Sequence, residues 1–138
     1  MGVAEILLVA SGSIIVAFGL AHLVFTFWGT KLTPRDSSLQ EAMKAVSPVI
    51  TRDTTMWKAW VGFNASHSLG AIFIGQSFVY LAFAHAPLFF GSVYLQVVGL
   101  AFLIAYCILG WRYWFKVPFS GISLSLVLYV ASISVARG

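Results

Sequence analysis

The chain has 138 residues, of which 60% are hydrophobic and 9% charged, and its mean hydropathy is +0.95. Soluble domains are about 45–50% apolar and about 25% charged, so the composition excludes an ordinary soluble protein and indicates an integral membrane protein. The net charge is +4, but basic residues also set the orientation of membrane proteins, so the excess does not indicate nucleic-acid binding. A single cysteine, Cys107, argues against a disulfide framework or a thiolate metal cluster.

Four apolar stretches each approach the length of about 20 residues that a helix needs to cross a bilayer. They cover residues 3–28, 57–83, 89–111 and 117–136 of a single domain, residues 1–138. Transmembrane strands would alternate apolar and polar residues, whereas runs such as VVGLAFLIAYCILGW do not alternate. The sequence therefore predicts an all-α, four-helix transmembrane bundle with up-down-up-down topology.

The first connection, TPRDSSLQEAMKAVSP, is long enough to hold a short helix over residues 38–47. Ser38 and Glu41 form a capping-box pattern, and Pro48 should end the helix. Apolar residues repeat at helical spacing on one side (Leu39, Ala42, Met43 and Val46), and polar residues take the other (Gln40, Glu41 and Lys44). We expect a cytoplasmic amphipathic helix in the membrane interface, acting as a simple linker or as a docking surface or gating lid.

The basic residues are distributed unevenly between the connections. Seven of the eight lie in the first and third connections: Lys31, Arg35, Lys44, Arg52, Lys58, Arg112 and Lys116. The positive-inside rule makes these connections cytoplasmic and places both termini outside. All five tryptophans mark the same boundary, where indole rings favour the headgroup layer.

Small residues predict where helices approach closely, because lipid removes the hydrophobic drive between helices. Gly62, Ser66 and Gly70 recur every four residues on the second span, and Gly19 lies on the first. We expect these four residues to serve helix packing. Serines of the fourth span should donate hydrogen bonds to their own helix or to neighbouring helices.

Two ionisable side chains, His22 and His67, lie well inside the predicted spans, and such residues suggest function by default. His22 precedes Trp28 by six residues and His67 follows Trp60 by seven, which places both about 9–10 Å inside the cytoplasmic boundary. Gly19 and Gly70 lie three residues from the two histidines in mirrored order. We therefore expect the histidines to be level on antiparallel helices, with space beside their rings.

Three interpretations of this polar layer remain open. The histidines could donate hydrogen bonds that only join helices, or they could be the axial ligands of one b-type haem. In the third, His22, Asn64 and His67, completed by Thr26 and Tyr106, bind a small lipophilic molecule such as a quinone, a sterol-like lipid or a pigment. Two glutamines nearer the outside, Gln76 and Gln96, are expected to form an amide pair between helices.

The spans contain no Lys, Arg, Asp or Glu beyond Glu5 and Lys58 near their ends, no cysteine pair and no HExxH motif. These absences argue against a pump, a thiol oxidoreductase and a metallohydrolase. The leading hypothesis is a ligand-binding protein or accessory subunit. The alternatives are a structural subunit of a larger membrane complex or homo-oligomer, and a small enzyme acting on a lipid substrate.

The stretches FGLAHLVFTFWG and WKAWVGFNASHSLGAIFIG carry a resemblance that covers most of the chain. The chain resembles small bacterial four-helix integral membrane proteins of unassigned function. The resemblance implies a four-helix inner-membrane protein and nothing about its activity. Its topology is also similar to the membrane-associated glutathione and eicosanoid enzymes and to vitamin K epoxide reductase-like bundles. It lacks the arginine-rich helix-two motif of the former and the cysteine pair of the latter, so neither activity is implied.

Overall fold

Uninterrupted apolar runs form four long helices in the computed structural model, which describes all 138 residues. These are α1 (Val3–Phe27), α3 (Met56–Ala84), α5 (Val93–Tyr113) and α6 (Lys116–Arg137). Two short helices, α2 (Ser37–Ala45) and α4 (Ala86–Gly91), lie in the connections, and there are no strands. Each long helix is long and apolar enough to cross a membrane, which confirms the prediction of an all-helical membrane protein with four candidate spans.

The chain divides into two compact units, and both α1 and α3 contribute to each. We call residues 1–18 and 71–138 the serine–glycine unit and residues 19–70 the histidine unit. The third predicted span begins later than expected, because Ser92 is extended and its side chain accepts a hydrogen bond from the Leu95 amide. Ser92 thereby separates α4 from α5.

Hydroxyl groups join α1 to α6 in the serine–glycine unit. Ser11 Oγ donates to the Ser125 carbonyl at 2.9 Å, and Ser125 Oγ donates back to the Ser11 carbonyl at 3.0 Å. Ser132 Oγ donates to the Ala4 carbonyl at 2.9 Å. Other α6 serines, including Ser120, bond to carbonyls of their own helix, so the predicted use of these hydroxyls is confirmed.

Glycines bring backbones together in the same unit. A Cβ on Gly12 would lie 2.5 Å from the Gly75 carbonyl oxygen, and a Cβ on Gly75 would lie 2.6 Å from that of Gly12. Between α5 and α6, a Cβ on Gly99 would overlap the hydroxyl of Tyr129, which is fully buried. The contacts of this unit therefore tolerate little added volume.

The predicted pairing of Gln76 with Gln96 is wrong. Gln76 is exposed, whereas Gln96 is buried and its amide donates to the carbonyls of Phe89 and Phe90. Its Oε1 accepts a hydrogen bond from Arg137 at 2.7 Å. A charged donor from the end of α6 satisfies this amide, and sequence spacing did not reveal that contact.

In the histidine unit, α1 ends in a left-handed glycine and the chain continues into α2. The Trp28 amide donates to the Val24 carbonyl, and Gly29 follows with φ of 89°. After α2, a backbone hydrogen bond from Met56 to Val46 closes the loop that leads into α3. This turn and this loop hold the ends of α1, α2 and α3 in one unit.

The start of α2 differs from the predicted capping box. Asp36, not Ser38, is the N-cap, and its carboxylate accepts from the Ser38 amide at 2.9 Å and from the Ser38 hydroxyl at 2.7 Å. Glu41 pairs instead with Lys44 at 2.8 Å. The hydrogen bonds from the Ser38 hydroxyl and then its amide lower the pKa of Asp36 below the ordinary value of 3.8, because they favour the charged carboxylate.

Candidate functional site

His22 of α1 and Asn64 of α3 form a direct hydrogen bond in the histidine unit. The His22 Nε2 atom lies 2.9 Å from Asn64 Oδ1, and the pair is partly buried. The other end of the Asn64 carboxamide donates to the Trp60 carbonyl of its own helix at 2.7 Å. Both ends of this amide are therefore held, as a polar group inside an apolar segment requires.

These contacts fix which nitrogen of His22 carries the proton. The Trp60 carbonyl only accepts, so the amide nitrogen of Asn64 faces it and the amide oxygen faces His22. An amide oxygen also only accepts. The hydrogen-bonding geometry thus requires a proton on His22 Nε2, which donates to the Asn64 oxygen.

His67 lies beside this pair rather than in isolation. Its ring meets that of His22 edge to face, with centroids 5.3 Å apart and an interplanar angle of 75°. The two imidazole rings are therefore in direct contact.

The paired histidines do not fit the haem interpretation in this arrangement. Bis-histidine ligation needs the plane of a macrocycle between two ring nitrogens. Here the two rings contact each other directly, and His22 Nε2 is bonded to Asn64. The chain also contains no group of three or more His, Cys, Asp or Glu side chains that could hold a metal ion.

A cavity of about 320 Å³ lies beside the histidine pair in the same unit. Its polar lining comes from Thr26, Thr30, Thr33, Gln40 and Asn64, and its aromatic lining from Phe25, Phe27, Trp57 and Trp60. The volume falls within the range of about 300–1,000 Å³ for small-molecule sites. His22 and His67 do not line this cavity, and His22 is linked to its lining through the hydrogen bond with Asn64.

The remaining predicted site residues fall in different places. Thr26 lines the cavity, and its hydroxyl donates to the His22 carbonyl at 2.8 Å, which leaves an oxygen lone pair available. Tyr106 belongs to the serine–glycine unit, where its ring stacks on Phe102 at 4.2 Å and meets Trp114 at 5.8 Å. Of the predicted ligand-binding residues, the cavity lining thus includes Thr26 and Asn64.

Gln40 is a lining residue that hydrophobic periodicity assigned to the opposite face. The structure turns Gln40 and Met43 of α2 inward to partial burial, while Leu39 remains 53% exposed and Val46 56% exposed. The side chain of Gln40 makes no hydrogen bond within the chain. Periodicity alone could not identify this face, because the inward surface contains a polar cavity.

The four predicted packing residues also separate into two groups. Gly19 is buried and Gly70 partly buried, but Gly62 and Ser66 lie on an exposed face of α3. No atom lies within 4 Å of a Cβ built on Gly62. Gly62 therefore does not mediate close packing within the chain, which corrects the predicted ridge at this position.

Comparisons with protein-family models, with curated protein sequences and with solved structures give no match. Function must therefore be argued from the site itself.

Proposed function

We propose that this protein is a membrane-embedded binding protein that holds a small lipophilic ligand in the cavity beside Asn64. The observation that carries the proposal is the His22–Asn64 hydrogen bond of 2.9 Å next to a cavity of about 320 Å³ that Asn64 and Thr26 line. His22 positions the amide, and the amide contacts the ligand. Four apolar helices compatible with a small membrane protein supply the setting.

The hydrogen-bonding capacity of the lining supports a ligand with a polar end. Asn64 uses one N–H and one oxygen lone pair within the chain and retains one of each. Gln40 adds further donors and an acceptor, and Thr26, whose hydroxyl donates to His22, adds an acceptor. These groups match carbonyl or hydroxyl oxygens, and the surrounding aromatic rings match an apolar body.

We also infer how the protein lies in the membrane. The four spans run up-down-up-down across a bacterial inner membrane. Both termini lie outside, and the first and third connections lie on the cytoplasmic side. The support is the distribution of basic residues, seven of which lie in those two connections. In this orientation α2 is an amphipathic helix in the cytoplasmic interface, and the cavity opens near that surface.

Extraction of the purified full-length protein tests the binding proposal. Protein prepared in mild detergent should retain about one lipophilic molecule per chain, identified by mass spectrometry of the denatured extract. Asn64→Leu should lower retention by about tenfold or more, which corresponds to about 1.4 kcal/mol. The double variant His22→Gln, His67→Gln should also lose retention, because Asn64 loses its partner.

Gln76→Leu is the matched control, since it makes a similar change at an exposed amide outside the cavity lining. Its retention should equal that of the wild type. Ligand retention at the wild-type level in both Asn64→Leu and the histidine double variant would contradict the proposal. A haem absorption band that disappears in His22→Gln would favour the haem alternative instead.

A second candidate function, a subunit of a larger membrane complex or homo-oligomer, is favoured by the exposed face of α3. Gly62, Ser66 and Leu69 lie at helical spacing on this face, and all three are exposed. Small exposed residues in a membrane helix permit close approach of another helix. A disulfide-linked dimer of Ser66→Cys in a Cys107→Ser background, without one for Leu124→Cys, would support a homo-oligomer through this face.

A further inference from the structure

A second cavity adjoins the first in the histidine unit, and the two differ in chemistry. It has a volume of about 380 Å³ and is lined largely by apolar side chains, among them Leu39 and Met43 of α2 and Pro34 of the preceding loop. The first cavity combines amide and hydroxyl groups with aromatic rings. One cavity is therefore suited to a polar head and the other to a hydrocarbon chain.

The two cavities share a wall. Leu32, Thr33 and Trp60 line both of them. The Trp60 indole donates to the Leu32 carbonyl at 3.0 Å and so holds this wall in place. A molecule that passes along the wall can have its two ends in different cavities.

The charges around the cavities limit the kind of head group. No charged side chain lines the first cavity, and burial of an ionised group without a partner is costly. Lys31 is the one charged residue that lines the second cavity, and its ammonium lies 4.0 Å from the centroid of the Phe25 ring. The amide and hydroxyl lining of the first cavity suits an uncharged head.

We propose that the ligand is a single-chain amphiphile whose uncharged head bears hydroxyl or carbonyl oxygens, with the head at Gln40 and Asn64 and the chain along Met43. This inference rests on the proposed function and specifies its ligand class. A monoacylglycerol and an alkyl benzoquinone share this chemistry. A fatty-acid anion of equal chain length differs from the monoacylglycerol in the charge of its head.

Tryptophan fluorescence offers a direct assay, since Trp57 and Trp60 line the first cavity and Trp60 also lines the second. A monoacylglycerol with a dibrominated chain should quench the full-length protein saturably in detergent, and its unbrominated form should displace it and restore the fluorescence. The alkyl benzoquinone quenches tryptophan by itself, so its binding should appear as saturable quenching that the unbrominated monoacylglycerol reverses. Gln40→Leu should weaken binding about tenfold, as loss of a hydrogen bond worth about 1.4 kcal/mol requires.

Two further variants separate head from chain. Met43→Gln should weaken binding of the long-chain monoacylglycerol about tenfold but leave a butyryl analogue within about twofold, because only the long chain reaches the second cavity. Gln76→Leu, at an exposed amide outside both cavities, should leave the affinity of the long-chain compound within about twofold. Circular dichroism of each variant checks that the helices remain folded.

Two outcomes would overturn the inference. Tighter binding of the dibrominated fatty-acid anion, lost in Lys31→Gln, would show that the head is anionic and lies at Lys31. Absence of saturable quenching by any of these compounds, while the purified protein retains another lipophilic molecule that depends on Asn64, would reject the ligand class and leave the proposed function intact. If there is neither saturable quenching nor a retained lipophilic molecule that depends on Asn64, the proposed function itself is rejected.

Discussion

The two units use their polar residues in opposite ways. In the serine–glycine unit, Ser11 and Ser125 bond reciprocally across helices, and Gly12 and Gly75 approach so closely that neither has space for a Cβ. In the histidine unit, Asn64 and Gln40 line a cavity of about 320 Å³, which shares a wall with a second cavity of about 380 Å³. Polar residues in a membrane segment can thus join helices tightly or line a site, and only the contacts distinguish the two uses.

The largest expected effect comes from filling the tight contact of the serine–glycine unit. Gly12→Ala should destabilise the protein by about 1–3 kcal/mol, because overpacking forces the backbone to move and the nearest atom is the Gly75 carbonyl oxygen at 2.5 Å. Unfolding in mixed detergent micelles measures the change. Gly62→Ala in the open face of α3 is the control and should be neutral or stabilising by about 0.5–1 kcal/mol. Equal destabilisation by Gly12→Ala and Gly62→Ala would contradict the difference in packing between these two positions.

Next in size is the turn that begins the connection in the histidine unit. Gly29 has φ of 89°, and a left-handed conformation costs other residues about 1–2 kcal/mol. Gly29→Ala should lower the free energy of unfolding by about that amount. Gly91→Ala, at a glycine with open space and without a positive φ, should have a smaller effect. A larger loss at Gly91 would argue against the left-handed turn.

A smaller effect should follow from removal of one buried hydroxyl. Tyr129 donates to the Gln96 carbonyl at 2.9 Å, and such a bond contributes about 0.5–1.5 kcal/mol net. Tyr129→Phe should destabilise the protein by about 1 kcal/mol in the same assay. Tyr94→Phe is matched chemically and 74% exposed, so it should leave stability unchanged. Indistinguishable variants would mean that the Tyr129 hydroxyl does not join α5 to α6.

The smallest expected effect is a pH dependence at the start of α2. The pKa of Asp36 is lowered in the folded protein by hydrogen bonds from Ser38. The contribution of the Asp36 cap to the stability of α2 should therefore be complete above pH 3.8, the ordinary pKa value. It should decline as the pH falls through the lowered pKa. Amide hydrogen exchange at Ser38 and its neighbours should increase over that range.

Asp36→Asn isolates the charge from the cap, since asparagine caps helices about as well as aspartate. Its exchange rates, corrected for the intrinsic pH dependence, should show no transition below 3.8. The same transition in the variant would assign the pH effect to another group.

The four spans could be predicted from the sequence because uninterrupted runs of about 20 apolar residues are typical of helices that cross a bilayer. Counting residues from Trp28 and Trp60 also placed His22 and His67 at equal depth, and the structure brings their rings within 5.3 Å. This part of the site depends on helix rise alone.

The sequence did not identify Gln40 as a lining residue or Arg137 as the partner of Gln96. Each depends on a contact between residues far apart in sequence, where a polar group is turned inward by the specific partner or cavity that receives it. The exposed position of Gly62 shows the converse, since small residues at helical spacing need not contact their own chain.

The protonation state of His22 tests the central geometry most directly, because it follows from the Asn64 hydrogen bonds alone. Nitrogen NMR of the full-length protein labelled at histidine, with His22→Gln used to assign the signal, should show a proton on Nε2 of the His22 ring. That signal should change in Asn64→Leu and stay unchanged in Gln76→Leu. A His22 ring protonated at Nδ1 alone, or a signal indifferent to Asn64→Leu, would contradict the proposed geometry.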